Sequence, residues 1–163
     1  MDVQTALLQV KDLCFAYPER PLWTNWSAHI GPGTTLVLGS DGSGKTTLLQ
    51  LLAGALPADA GTITLAGVTL QHNAAAYRQQ VFWQDPRSPA LDACGVQAWW
   101  DSLPTQYPHW SAAALAAHVQ GFALQPHVDK TLHQLSAGTR RKVLMAAALA
   151  SGAALGMICS RRR

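Results

Sequence analysis

Charged residues are scarce in this chain. They make up 13% of its 163 residues, about half the usual share. Hydrophobic residues reach 48%, which is close to the average of globular proteins. This balance excludes an intrinsically disordered chain. It favours a folded protein that buries much of its surface, in part against partners.

Cysteine is also sparse. Cys14, Cys94 and Cys159 are scattered along the sequence, and no two of them have CxxC spacing. An odd number of isolated cysteines does not form a disulfide framework, so we expect the protein to reside in the reducing cytosol. The N-terminal residues contain no charged segment followed by an apolar stretch, and we therefore expect no secretory signal.

The chain has little excess charge of either sign. The formal net charge is +3, and the last three residues, 161–163, are all arginine. The excess is therefore a tail rather than a basic patch, and we expect no binding of nucleic acid.

Long apolar runs are limited to one uncharged stretch, Val143–Ser160, flanked by basic residues. It is near the minimum length of a transmembrane helix. Its many alanines and glycines suit a buried helix followed by a buried strand equally well.

Hydrophobic patterns and turn residues predict an α/β chain. We expect strands at Leu7–Tyr17, Leu22–Ile30 and Gly61–Leu70, the last broken at Gly67. A short buried strand is predicted at Thr34–Leu38 and a helix at Lys45–Ala53. Further predicted elements are a strand at Gln80–Trp83, helices at Gly95–Leu103, Ser111–Ala123 and Gly138–Ala150, and an apolar run from Ala153 to Ile158.

The strongest motif is GSDGSGKT at Gly39–Thr46, which matches GxxxxGK[ST] between a predicted strand and a predicted helix. Glycines allow backbone N–H groups to point at phosphate oxygens, and the helix N-terminus adds positive potential. Lys45 would contact the β- and γ-phosphates, and the Thr46 hydroxyl would bind Mg²⁺. The residues predicted to bind nucleotide here are Gly39, Ser40, Asp41, Gly42, Ser43, Gly44, Lys45, Thr46 and Thr47.

Three further features narrow the choice among phosphate-loop proteins. Leu135–Thr139 (LSAGT) precedes a basic stretch and an alanine-rich helix, Gln84 ends a short strand, and Tyr17 precedes the phosphate loop. In this order and spacing they resemble the LSGGQ signature, the Q-loop glutamine and the A-loop aromatic residue of the ABC (ATP-binding cassette) ATPases. The resemblance covers roughly residues 5–155, and the helical insert lies where that family has its helical subdomain.

The resemblance implies a role for each feature. Tyr17 would stack on adenine, and Gln84 would complete the Mg²⁺ shell as a candidate catalytic residue. The signature helix would face the γ-phosphate held by a second subunit. The signature residues concerned are Ser136, Ala137, Gly138 and Thr139. Simpler interpretations remain open: Tyr17 as a strand tyrosine, Gln84 as a loop residue, and Ser136 as a plain N-cap.

Two residues depart from the signature. Ala137 stands where glycine is usual, which matters only if the backbone requires a positive φ. Thr139 stands where glutamine is usual, and its shorter side chain would reach less far across a dimer interface. Both put activation of a partner's nucleotide in doubt.

A phosphate-loop ATPase needs a carboxylate for Mg²⁺ after a buried strand, and the family then has a glutamate that orients water. Cys159 and Ser160 occupy these positions after the apolar run. We therefore interpret the chain as truncated before Walker B, by a frameshift near Leu155–Gly156, with the C-terminal part of the core missing. We expect poor solubility and little ATP turnover from it.

The predicted fold is an α/β, ABC-type P-loop NTPase with an antiparallel β subdomain and a helical insert. We assign one domain, 1–163, divided into 1–83, 84–134 and 135–163. The expected function is that of an ATP-binding subunit of an ABC transporter, using ATP and Mg²⁺.

The expected partners are transmembrane permease subunits and a second ABC ATPase subunit, identical or different, on the cytoplasmic face of the membrane. Exposed Trp99, Trp100 and Trp110 would suit a contact face, or else form local core. The alternative functions are an ATP-binding pseudo-enzyme or interaction module without turnover, and a soluble non-transport ABC ATPase.

Overall fold

Strand β1 (Leu8–Tyr17) lies between two antiparallel neighbours, β2 (Arg20–Ile30) and β3 (Ala60–Leu65). A computed structural model describes residues 7–84 and 89–159, and within these ranges β4 (Val68–Thr69) completes the sheet in the order β2-β1-β3-β4. The predicted strands at Leu7–Tyr17, Leu22–Ile30 and Gly61–Leu70 are thus confirmed. Apolar residues of β1 and β3 alternate into the core, as half-buried strands require.

The central strand carries a bulge at Asp12. The pairing of β1 shifts register against β2 between Val10 and Leu13, and against β3 between Lys11 and Cys14. Asp12 has a φ of 51°. Gly61 in β3 packs so closely against this bulge that a Cβ atom there would lie 2.6 Å from the Asp12 carbonyl oxygen. The bulge therefore fixes the register of both neighbours.

Two helices complete the first unit, Met1–Gln80. Helix α1 (Lys45–Leu52) follows the phosphate loop and buries Leu48, Leu51 and Leu52. Helix α2 (Ala74–Gln79) begins at Asn73, whose side chain accepts a hydrogen bond from the Ala76 amide.

The predicted strand at Thr34–Leu38 is wrong. These residues form no strand, and Leu36 and Leu38 are 77% and 79% exposed. A strand within a parallel sheet needs hydrogen-bonded neighbours on its edges. The described residues provide none to this segment, so its β-prone sequence stays irregular and exposed.

The second unit is mostly helical. Strand β5 (Val81–Trp83) pairs in parallel with β6 (Leu155–Met157). Between them lie α3 (Pro89–Ala93), α4 (Val96–Ser102), α5 (Ala112–Gly121) and α6 (Ala137–Ala150), with 3₁₀ turns at Leu103–Thr105, Gln125–His127 and Leu132–Gln134. Ser111 and Ser136 cap α5 and α6 through their side chains.

The tryptophans of this unit belong to its core. Trp100 is 2% exposed, Trp99 is also buried, and Trp110 is half-buried against the same cluster. The contact-face interpretation of Trp99 and Trp100 is therefore wrong, because both rings fill the space between the helices. The other buried members include Phe82, Leu103, Tyr107, Val119, Leu124, Leu132, Leu135, Val143 and Leu144.

The uncharged stretch after Lys142 is a buried helix end followed by a short strand, as one of its two interpretations predicts. Within the ranges the structure describes, no helix combines the length and the apolarity needed to cross a membrane. Residues 85–88, Ser160 and the arginine tail lie outside the described residues.

Candidate nucleotide site

The phosphate loop has a backbone shape that glycine makes possible. Gly42 and Gly44 have φ values of 75° and 91°, which side chains disfavour. At Gly39 a Cβ atom would lie 2.6 Å from the Ser43 Oγ atom, and at Gly44 it would lie 2.8 Å from the Leu22 side chain. We call this glycine-dependent loop the cradle, and a loop of this kind suits a phosphate group.

Helix α1 opens directly from this cradle. Its N-cap is Gly44, no side chain caps its first turn, and that turn contains no acidic residue. Backbone N–H groups at an uncapped helix N-terminus attract anions. The half-buried Thr46 and the buried Thr47 belong to this first turn.

Lys45 folds back over the loop. Its ammonium group donates hydrogen bonds to the carbonyl oxygens of Gly39 at 2.8 Å and Ser40 at 2.6 Å, and it lies 3.5 Å from the Ser43 Oγ atom. These three acceptors use the three N–H donors of the ammonium group. A bound phosphate would offer the Lys45 ammonium group a charged acceptor in place of these neutral ones, and charge-assisted hydrogen bonds are stronger.

Tyr17 lies beside the same loop. It ends β1, its side chain is 46% exposed, and its hydroxyl is 3.0 Å from the Thr47 Oγ1 atom. The buried Phe15 ring meets the Tyr17 ring edge-on, with centroids 5.1 Å apart. The hairpin therefore brings a partly open aromatic ring to the first turn of α1, next to the phosphate loop, where Thr47 lies 30 residues further along the chain.

Helix α2 holds the other end of α1. The buried Tyr77 hydroxyl donates to the Leu52 carbonyl oxygen at 2.6 Å, and the Arg78 guanidinium donates twice to the Gly54 carbonyl oxygen, at 3.0 and 2.8 Å. Carbonyl groups at a helix C-terminus otherwise lack partners. The helix that presents the phosphate loop is thus anchored from behind.

The signature residues form the exposed N-terminus of α6. Ser136 is the N-cap, and its Oγ accepts a hydrogen bond from the Thr139 amide at 3.1 Å. Ala137 has no positive φ and sits in the first helical turn, so alanine costs little there. The Thr139 hydroxyl is 2.9 Å from Ser136 Oγ and stays close to the cap.

An ion pair joins the signature helix to α3. Arg140 in α6 donates to the Asp92 carboxylate, while the Arg140 Nη2 atom is buried without a partner. Gln84 is half-buried directly after β5. Gln84 and the signature residues belong to the second unit, whereas Tyr17 and the phosphate loop belong to the first.

A groove of about 660 Å³ opens in the second unit beside α4 and α5. Its wall is apolar with a few amide groups and includes Gln97, Trp100, Leu115, Val119, Gln120 and Val128.

Strand β6 ends at Met157 and is followed by Ile158 and Cys159, so no carboxylate follows it within the described chain. Across the described ranges, no three histidine, cysteine or acidic side chains are grouped to hold a metal ion.

Comparison with known proteins identifies the family that shares this arrangement. The family model described as "ABC transporter" matches residues 23–158, most of the chain. The chain belongs to the ABC transporter family. Use of ATP and Mg²⁺ is general to that family. The match extends through the phosphate loop, Gln84 and the signature residues.

Two curated relatives with similar sequences are named as ATP-binding proteins of import or export. A taurine import ATP-binding protein, TauB, from Pseudomonas putida is 35% identical over 150 residues, which are 90% of this chain and 56% of that protein. A cytochrome c biogenesis ATP-binding export protein, CcmA, from the same species is 31% identical over 143 residues, 87% and 68% of the two chains. The chain thus spans little more than half the length of the taurine relative.

A solved ABC structure shows the same fold. A nucleotide-free ATP-binding cassette from an ABC transporter superposes with a TM-score of 0.69 at 18% identity, covering 91% of this chain and 66% of that one. The expected ABC-type P-loop NTPase fold is therefore confirmed. The assigned site residues themselves remain predictions.

The sequence misses two connections at the site. The Tyr17–Thr47 hydroxyl contact and the Asp92–Arg140 ion pair join residues far apart in the chain. No local pattern reports such contacts, because they depend on how a hairpin packs on α1 and how α3 packs on α6.

Proposed function

We propose that this chain is the ATP-binding part of an ABC transporter and holds MgATP at the phosphate loop. The observation that carries the proposal is the glycine-shaped cradle closed by Lys45 at the uncapped start of α1. Its chemistry suits a chain of phosphates, and the adjoining Tyr17 ring suits a purine.

In this proposal each predicted residue has one task. The loop backbone of 39–44 and Lys45 bind the phosphates, and Tyr17 stacks on adenine. Thr46 and Gln84 provide oxygen ligands to Mg²⁺, which neutralises phosphate charge when bound. The exposed N-terminus of α6, at Ser136–Thr139, faces a nucleotide on a second cassette.

The proposed setting is a complex at the inner face of the cell membrane. Transmembrane permease subunits and a second cassette complete it, and the whole assembly couples ATP hydrolysis to transport. The apolar groove beside α4 and α5 fits a protein contact of the permease kind. The named relatives include an import protein and an export protein.

The decisive experiment is MgATP binding to the 163-residue chain by isothermal titration calorimetry. Lys45→Ala is expected to weaken binding at least tenfold, because one charge-assisted contact to phosphate contributes about 1.5–3 kcal/mol. Lys11→Ala, which removes an exposed lysine from β1, is the matched control and should bind as the parent does. Equal affinities of all three proteins would refute the proposal.

A second candidate function is nucleotide binding without turnover. The second residue after β6 is Cys159 rather than a carboxylate, and phosphoryl transfer requires a residue that holds the metal and orients water. We therefore expect the chain to bind ATP with little phosphate release. Steady phosphate release that Lys45→Ala abolishes would exclude this candidate.

A further inference from the structure

We propose that Thr47 is a positioning residue for Tyr17: its hydroxyl holds the aromatic ring in place to receive the nucleotide base. The inference rests on the proposed function, since it assigns a role within the ATP site. It gives the buried Thr47, already predicted to bind nucleotide, a second task.

The geometry around the ring supports this role. Tyr17 ends β1 and forms a register pair with Arg20 in β2, so its backbone is fixed by the hairpin. The edge-on contact with the buried Phe15 ring restricts one side. The hydroxyl contact with Thr47, at 3.0 Å, restricts the far end of the ring.

Thr47 is well suited to act as an anchor. Its side chain is buried in the first turn of α1, and a β-branched side chain in a helix has few rotamers. Either hydroxyl can donate the hydrogen bond. A rigid anchor spares the ring the loss of rotamer freedom that binding would otherwise require.

The expected effect is selective for the base. Losing a neutral hydrogen bond changes affinity by about two- to tenfold. Thr47→Val keeps the shape of the side chain and removes the hydroxyl, and Tyr17→Phe keeps the ring and removes the other hydroxyl. Each is expected to weaken ATP binding by that factor, and Tyr17→Phe should leave the affinity for magnesium tripolyphosphate, which has no base, unchanged.

A double-variant comparison isolates the contact. Tyr17→Phe combined with Thr47→Val should bind ATP no more weakly than either single variant, because both remove the same hydrogen bond. Thr47→Ser retains a hydroxyl and should restore most of the affinity. Thr64→Val removes a hydroxyl from the Thr64–Thr69 pair in the β3–β4 hairpin and serves as the control with parental affinity.

The test is calorimetric titration of the full chain and its variants with MgATP and with magnesium tripolyphosphate. Equal losses of both affinities in Thr47→Val would overturn the inference, because Thr47 would then act directly on the phosphates. Effects of the two single variants that multiply in the double variant would overturn it as well. If Thr47→Val fails to fold, Tyr17→Phe and Thr47→Ser provide the same comparison.

The proposed function fails in a different way. If ATP binding does not depend on Lys45, both the function and this inference fall. If it depends on Lys45 but the ratio of ATP to tripolyphosphate affinity ignores Tyr17→Phe and Thr47→Val, only the inference falls.

Discussion

Removing the hydroxyl of Tyr77 should loosen the helix that carries the phosphate loop. The Tyr77 side chain is fully buried, and its hydroxyl donates to the Leu52 carbonyl oxygen at the end of α1. In Tyr77→Phe that carbonyl loses its donor where water does not readily replace it. A buried polar group left without a partner costs about 1–3 kcal/mol.

Hydrogen exchange measured by mass spectrometry is the appropriate assay, because it reports opening of each segment separately. A cost of about 1–3 kcal/mol corresponds to roughly 5- to 150-fold faster exchange of α1 amides in Tyr77→Phe. Peptides that cover α1 and α2 should show the acceleration.

Arg78→Met is the matched control. Arg78 follows Tyr77 in α2, and this substitution removes two hydrogen bonds to the Gly54 carbonyl oxygen. Arg78 is exposed, so water can take over part of these bonds, and the cost should stay below that of Tyr77→Phe. Exchange in Tyr77→Phe no faster than in Arg78→Met would show that burial of the hydroxyl does not decide the stability of α1.

Three further predictions concern stability and solubility. Burial raises the pKa of Tyr77 and Tyr107. The stability that their protonated forms provide is therefore complete below the ordinary pKa of 10.0 and is lost as the pH rises beyond it. Circular dichroism across alkaline pH measures this loss of folded protein, and Tyr77→Phe should reduce it. Gly61→Ala should lower the free energy of unfolding by several kcal/mol, because the added Cβ would meet the backbone of β1. Gly67 has a similar φ but open space around it, so Gly67→Ala should lower that free energy by only about 1–2 kcal/mol. Comparable urea midpoints of the two variants would contradict this. Leu38→Lys should raise the soluble fraction after centrifugation by removing an exposed apolar side chain, and unchanged solubility would show that Leu38 does not drive association.

Local signals predict much of the fold. Glycine at position 54 with a φ of 67° marks the end of α1, and Ser111 and Ser136 mark two helix starts through the caps they form. Helix α2 escapes prediction because its six residues are too short to show periodicity. Its function as the anchor of α1 is visible only in the packed structure.

The site is predictable in composition but not in its contacts. The order of Gly39–Thr46, Gln84 and Leu135–Thr139 indicates a nucleotide site, because glycines, lysine and hydroxyl groups have specific work around phosphate. The exposure of Thr34–Leu38 is not predictable, since β-propensity does not tell whether a strand finds neighbours. The burial of Trp99 and Trp100 likewise depends on tertiary packing.

The placement of β1 at the centre of its sheet has a kinetic consequence. The β1–β2 hairpin connects neighbours in the chain and can form within microseconds, but β1 also pairs Leu8 with Leu65 in β3. That second pairing must close a loop containing the phosphate loop and α1, and closure of a long loop has an entropic cost. During synthesis the β1–β2 hairpin would therefore lack its second neighbour until β3 has been synthesised. The two ends of the segment that contains the phosphate loop and α1 would come together only at that later step.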